Sequence, residues 1–127
     1  MNNQSTDGVE FDKQNQLERI QDDLVRGERL FFVYDLKGTG SGYLGVTDRR
    51  LVFQDRTLMH KHESIVTVPF SKITAVAAED AGHILKTSKL VVYVNTQSYE
   101  FEFRSTEKAH KAYRLILEQT LQGEIAG

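Results

Sequence analysis

The alternation of apolar and polar positions is clearest in the run G-Y-L-G-V-T-D-R-R-L-V-F, from Gly42 to Phe53. Leu44 and Val46 lie on one face of a first predicted strand. Leu51 and Phe53 lie on one face of a second predicted strand. This period of two is expected of a half-buried hairpin. Thr-Asp-Arg between the strands supplies turn residues, because an Asp side chain can bond the backbone two residues on. The run therefore predicts a strand, a tight turn and a strand.

Two other stretches have helical spacing. The first helix is predicted over residues 12–25, where apolar residues recur at i, i+3, i+7 and i+8, and Gly27 offers a C-terminal stop. These apolar residues are Leu17, Ile20, Leu24 and Val25. Ser105 can cap a closing helix, with Glu107 in its first turn. The apolar stripe of that helix consists of Ala109, Ala112, Tyr113, Ile116 and Leu117.

The remaining strands follow from short β-rich runs between polar or glycine-rich segments. They are predicted at residues 29–36, 64–70, 73–78, 89–94 and 99–103. Polar loops are predicted at 56–63 and 79–87. We divide the chain into a disordered segment at 1–10, a single domain at 11–123 and a short tail at 124–127.

Composition narrows the classes of function. The chain has 127 residues, of which 39% are hydrophobic and 27% charged, and its net charge is −2. This acidic balance argues against a nucleic-acid partner, and it weakens attraction of the whole molecule to anionic membranes. The absence of cysteine excludes disulfides and thiolate catalysis and fits a cytoplasmic protein. No apolar run reaches the ~20 residues of a membrane span, and the polar N-terminus is unlike a signal peptide.

Three segments resemble the bacterial PH-like family and the related GRAM modules. They are the leading helix with Gly27–Glu28, the Gly42–Phe53 run, and Val-Pro-Phe-Ser-Lys-Ile at 68–73. The resemblance covers roughly residues 17–121. It implies a mainly β fold with helices (α+β): a partly open barrel of about seven antiparallel strands, capped by the C-terminal amphipathic helix, with an additional N-terminal helix.

The glycine-rich loop Lys37–Gly42 is the first candidate site, because its backbone N–H groups could turn toward an anion. In lipid-binding PH domains the equivalent loop holds the head group. The predicted second strand has no basic residue before Arg49, however, so the phosphoinositide motif is incomplete. A flexible hairpin connection is the alternative. The candidate ligand rim comprises Lys37, Gly38, Gly40, Arg56, His60, Lys61 and His62.

His60 and His62 are two apart, so both imidazoles project the same way from an extended segment. Glu63 or His83 could supply a third metal ligand. No HExxH motif or carboxylate cluster accompanies them, so no metal site is predicted. The alternatives are a rim that gains charge at mildly acid pH and a solvated loop.

Arg49 and Arg50 are interpreted as structural, with one guanidinium hydrogen-bonded along the sheet. Phe31 and Val33 form a candidate interface, since an exposed apolar stripe on the first strand would favour self-association. Coverage by the leading helix is the alternative for this stripe.

No catalytic triad, carboxylate pair or cofactor fingerprint is present, so we predict neither an enzyme nor a cofactor. The sequence predicts a cytoplasmic, non-catalytic binding or adaptor module that acts through protein–protein association, including homo-oligomerisation. The alternative is a peripheral membrane module, in which Lys37, Arg56 and Lys61 contact anionic lipid head groups.

Overall fold

The computed structural model describes residues 8–38, 41–55, 64–78 and 88–126, with side chains described as far as residue 122. The strands are β1 (Glu10–Phe11), β2 (Leu30–Asp35), β3 (Ser41–Thr47), β4 (Arg50–Asp55), β5 (Ser64–Pro69), β6 (Ala75–Ala78), β7 (Lys89–Val94) and β8 (Gln97–Glu102). The helices are α1 (Gln14–Gln21) and α2 (Thr106–Ala126), and a short 3₁₀ turn, Phe70–Lys72, separates β5 from β6.

The strands form two sheets that follow the order of the chain. One has the order β1-β2-β3-β4-β5 and the other β6-β7-β8. β1 runs parallel to β2, and the other pairings are antiparallel. A bridge between Leu36 and Phe103 joins the sheets, beside a 2.8 Å hydrogen bond from Lys37 N to Glu102 O. The result is the predicted half-open barrel, with eight described strands instead of about seven.

The main core lies between the two sheets and α2. The Phe53 ring packs edge-on against the rings of Tyr99 and Phe101, with centroids 4.9 Å apart in both pairs. α2 adds buried Ala109, Ala112 and Ile116, with Tyr113 packed against them, as the predicted stripe requires, but Leu115 packs on this core where Leu117 was predicted. The Ser105 hydroxyl accepts a 3.1 Å hydrogen bond from the backbone of the first turn, so the predicted N-cap is also confirmed.

A second cluster lies on the outer face of the larger sheet, beneath α1. It contains Leu17, Ile20, Leu30, Val33, Tyr43 and Val52. Gly45 permits this close approach, because a Cβ at that position would lie 3.2 Å from Ile20 Cγ2. α1 therefore covers this face of the sheet and does not extend away from the domain.

The N-terminal part differs from the prediction in two respects. α1 ends at Gln21, and the chain then turns through Gly27 at φ +80° instead of continuing as a helix to residue 25. Glu10, predicted to be disordered, belongs to β1 and pairs with Phe32. Residues 1–7 and both predicted loops, 56–63 and 79–87, lie outside the described residues.

Candidate functional site

A short N-terminal strap, Gly8–Asp12, lies along the free edge of β2 and passes close to α2. Its register pairs Glu10 with Phe32 and Phe11 with Val33. The Asp12 amide donates a 3.2 Å hydrogen bond to the Val33 carbonyl, which extends this short parallel ladder. The Asp12 carboxylate in turn accepts a 2.9 Å hydrogen bond from the Asp35 amide. The strap thus supplies the edge strand of the larger sheet.

Two lysines of α2 hold the strap from the other side. Lys108 Nζ pairs with the Asp12 carboxylate, and Lys111 Nζ pairs with the Glu10 carboxylate. The hydrogen bond from Lys111 is the main cause that lowers the pKa of Glu10 below its ordinary value. Both ion pairs are partly open to solvent: the Glu10 and Lys111 side chains are 44% and 61% exposed, and the Asp12 and Lys108 side chains 21% and 27%. Each pair therefore contributes at most about 1 kcal/mol.

Tyr34 forms the buried floor beneath these ion pairs. Its ring lies 5.4 Å from Lys108 Nζ, within range of a cation–π interaction. The hydroxyl is buried and makes no hydrogen bond of acceptable geometry within the described residues. Burial is the main cause that raises the pKa of Tyr34, and the neighbouring Glu10 carboxylate raises it further. The phenol is therefore neutral at physiological pH.

Beside Gly8, the first described residue of the strap, a groove of about 420 Å³ lies between β2 and α2. Its walls are Gly8, Glu10, Phe31, Phe32, Lys111, Arg114, Leu115 and Glu118. Arg114 is exposed and makes no ion pair within the described part of the chain. The groove thus combines an apolar floor with the charged side chains of Lys111, Arg114 and Glu118, of which Arg114 makes no ion pair with a described residue.

Asp35 joins the start of α1 to the segment that precedes α2. Its carboxylate accepts hydrogen bonds from Gln16 Nε2 at 2.8 Å and Arg104 Nε at 3.1 Å, and Lys13 Nζ lies 3.5 Å away. Burial raises the pKa of Asp35, but these partners outweigh burial, and the pKa lies below its ordinary value. A carboxylate engaged in this way holds elements together and is not available as a proton donor or acceptor.

The Glu28–Arg50 pair is the second buried charge cluster. Glu28 accepts hydrogen bonds from Arg50 Nε at 2.8 Å, Arg50 Nη2 at 2.9 Å and Thr47 Oγ1 at 2.6 Å. Burial raises the pKa of Glu28, but these donors outweigh it and lower the pKa overall. The Glu28 hydrogen bond is in turn the main cause that raises the pKa of Arg50. The structural interpretation of Arg50 agrees with this geometry, whereas the Arg49 side chain is 53% exposed.

The candidate ligand rim lies mostly beyond the described residues. Gly40, Arg56, His60, Lys61 and His62 belong to the undescribed segments, as does the histidine pair considered for a metal. Lys37 is exposed, and Gly38 has φ +88° beside the Glu102 carboxylate. The described part of this rim therefore presents an acidic side chain next to its lysine.

The predicted exposed stripe on the first strand requires a correction. Val33 is 0% exposed and packs beneath α1 with Leu17 and Ile20. For Val33 the alternative is therefore correct: the leading helix covers this residue. A register shift between Leu30 and Phe32 interrupts the alternation, and Phe31 is half-buried against the main core. Phe31 instead lines the groove beside α2 and carries the Arg29 guanidinium 5.2 Å from its ring centroid.

The strap, Asp35 and Glu28 were not predicted as parts of a site. Two-residue strands have no periodicity, and Glu28 meets Arg50 only through tertiary structure, 22 residues along the chain. In the sequence, the buried pair is indicated only by a glutamate, Glu28, directly after the predicted helix stop at Gly27, and by Arg50 of opposite charge in the Gly42–Phe53 run.

Within the described ranges, no group of three or more His, Asp or Glu side chains could hold a metal ion. No helix in the same ranges is long and apolar enough to cross a bilayer.

Comparison with known proteins identifies the class of this architecture. A domain similar in fold is the pleckstrin homology domain from Shewanella amazonensis SB2B, with a TM-score of 0.65 and 20% identity over 87% of this chain and 99% of that one. A DUF1696 family protein with a pleckstrin-homology domain from Shewanella loihica PV-4 aligns with a TM-score of 0.64 and 18% identity, over 86% of this chain and 94% of that one. The fold is therefore a PH-like α+β fold, as predicted.

The family follows from the sequence comparison. The model of the bacterial PH domain family matches residues 2–120, so this chain belongs to that family. Uncharacterized protein YozO of Bacillus subtilis (strain 168) is 28% identical over 80 residues, which make up 63% of this chain and 68% of YozO. The predicted family resemblance is confirmed.

Proposed function

We propose that this PH-like domain is a non-catalytic binding module that associates with a second copy of itself through the edge strand β6. One observation carries the proposal. β6 has the sequence A-V-A-A, and its outer edge has no strand partner within the described residues. Edge strands of soluble proteins are usually protected by charged side chains, proline or bulges, and β6 has none of these.

The side chains of β6 suit close approach by another strand. Ala75, Ala77 and Ala78 are exposed, and Val76 packs against the core. Tyr93, opposite Ala75 on β7, is 40% exposed and extends the apolar surface of the sheet. Two such strands related by a two-fold axis would pair antiparallel, with small uncharged side chains facing one another. The net charge of −2 opposes this contact only weakly.

The oligomeric state tests this proposal. We expect light scattering after size exclusion to give a mass that rises with concentration from 14.5 kDa toward twice that value. The variant Ala77→Lys adds a charged side chain to each of the two edges that would pair, so it should shift the mass toward the monomer.

His110→Lys provides the matched control, because it adds a cation at an exposed position of α2 and should associate like the wild-type protein. A mass of 14.5 kDa at every accessible concentration would refute self-association. Equal association of the Ala77→Lys variant and the wild-type protein would refute the role of β6.

The peripheral membrane alternative has less support among the described residues, because Glu102 lies beside the Lys37 end of the rim. It predicts salt-sensitive pelleting with anionic vesicles that Lys37→Glu together with Lys61→Glu abolishes. Pelleting that is unchanged in this double variant would contradict the rim as the membrane contact.

A further inference from the structure

The strap occupies a binding surface that is longer than the strap itself. Lys108, Lys111 and Arg114 follow one another at intervals of three residues along α2. On the facing strap the carboxylates of Asp12 and Glu10 are two residues apart, and they pair with the first two cations. The next alternate position of the strap is Gly8, which lies in the groove with Arg114 but has no side chain that could pair with it.

The strap is also held weakly. Its ladder with β2 contains only two residues, and Phe11 is 39% exposed. Both ion pairs are partly solvated, so salt and competing anions weaken them. The backbone beyond the ladder leaves the strand direction at Gly8, where φ is +81°. The strap is thus a short intramolecular example of strand addition to a sheet edge.

We propose that the groove between β2 and α2 binds an extended acidic peptide segment with carboxylates at alternate positions, which displaces the strap and pairs with Arg114, a cation that makes no ion pair with any described residue. With the strap removed, the described α2 side of this surface presents three cations, Lys108, Lys111 and Arg114, against the carboxylates of Glu118 and, in the first turn, Glu107. The half-buried Phe31 and Leu115 provide the apolar floor between them. The edge of β2 supplies main-chain hydrogen bonds, and alternate side chains of the added strand then face α2.

Two fluorescent peptides test this proposal by anisotropy on the full chain at low salt. One is the strap sequence G-V-E-F-D-K, and the other is E-V-E-F-D-K, which adds the third carboxylate. We expect the second peptide to bind about two- to fivefold more tightly, the increment of one partly exposed ion pair. Arg114→Gln should remove this difference while it leaves the weaker peptide unchanged. A preference for the third carboxylate that persists without Arg114 would overturn the pairing.

Two further variants have opposite expected effects. In the Glu10→Gln/Asp12→Asn background, where the strap no longer pairs with α2, Lys111→Glu should weaken both peptides about tenfold, because it replaces an attraction to the peptide by a repulsion. Glu10→Gln combined with Asp12→Asn should strengthen both, because it loosens the strap that competes for the same surface. Lys72→Glu makes the same charge change at an exposed position on the 3₁₀ turn and should bind like the wild-type protein. Weaker peptide binding by the Glu10/Asp12 variant would refute displacement of the strap.

Amide exchange reports the displacement directly. The Asp12 amide is bonded to the Val33 carbonyl, so it should lose protection when the acidic peptide binds. Binding with full protection of this amide would show that the peptide lies elsewhere. Absence of binding to both the wild-type protein and the loosened variant would refute the proposal altogether.

Discussion

Arg50→Met should strongly destabilise the fold, because it leaves the Glu28 carboxylate buried without its cation. The Glu28 side chain is 0% exposed and the Arg50 side chain 14% exposed. The substitution removes two charge-assisted hydrogen bonds to this carboxylate, at 2.8 and 2.9 Å, while methionine retains much of the aliphatic volume. It also removes the 2.7 Å bond from Arg50 Nη2 to the Asp23 carbonyl, which fixes the turn after α1. We expect a loss of about 3–5 kcal/mol in the free energy of unfolding.

Urea unfolding at pH 7, followed by far-UV circular dichroism, measures this loss, and the denaturant dependence should be unchanged if only the native state is affected. Arg49→Met is the matched control: the neighbouring side chain is 53% exposed and lies 4.0 Å from Asp48, so its loss should change stability by less than about 0.5 kcal/mol. Equal effects of the two substitutions, or a loss below about 1 kcal/mol for Arg50→Met, would refute the argument from burial.

The pH dependence supplies a second test of the same pair. In the wild-type protein the folded-state pKa of Glu28 lies below 4.5, so the pair stabilises the fold above that pH and the stabilisation is lost as pH falls through the folded-state pKa. In the Arg50→Met variant Glu28 keeps the hydrogen bonds from Thr47 and Val25 but loses those from Arg50 and the charge of the guanidinium, so the pKa of Glu28 is higher than in the wild-type protein. The variant should therefore be closest to wild-type stability in acid. A deficit that is constant between pH 7 and pH 4 would contradict this account.

Three further predictions use the same unfolding measurement. Ser105→Ala should cost about 1 kcal/mol through loss of the α2 N-cap, and Ser105→Asp should restore it. Gly45→Ala should cost about 1–3 kcal/mol, because the new methyl group meets Ile20 at 3.2–3.4 Å; an unchanged midpoint would show that α1 shifts freely. Asp35→Asn should cost about 1.5–3 kcal/mol at pH 7, since Asp35 loses its charged bond with Arg104. This difference should shrink as pH falls below the ordinary pKa of 3.8, because the wild-type pKa is lowered; a difference that grows would reverse the sign of the argument.

The sequence pattern was sufficient for the elements whose side chains alternate or recur over several turns. The β3–β4 hairpin pairs Leu44 with Phe53 and Val46 with Leu51, as the alternation predicted. α2 was equally clear, because its N-cap and apolar stripe are local properties of the chain. In α2 one face is buried against the core, and in β3 and β4 the alternating apolar residues face the main core as predicted. The hairpin is not half-buried, however, because α1 covers Tyr43 and Val52 on its other face, and β3 is buried along its whole length.

The pattern failed where the tertiary structure overrides local sequence. The bulge near Phe31 shifts the register of β2 by one residue, and no local feature of the sequence predicts it. Because of this shift, the Phe31 ring lines the groove and does not belong to the predicted stripe. α1 stops at Gln21 because the chain must turn to bring Glu28 onto Arg50, although apolar residues continue at Leu24 and Val25. The strap was missed because two paired residues have no detectable period.

The contact between Leu36 and Phe103 has a consequence for the folding pathway. Each sheet joins strands that are consecutive in the chain, so both antiparallel meanders can form from neighbouring hairpins. The Leu36–Phe103 bridge, which is the seam between the two sheets, instead closes a loop of more than sixty residues. The chain loses the conformational entropy of this loop before the two halves of the core can pack together. Closure of this seam is therefore expected to be the late, rate-determining event in folding.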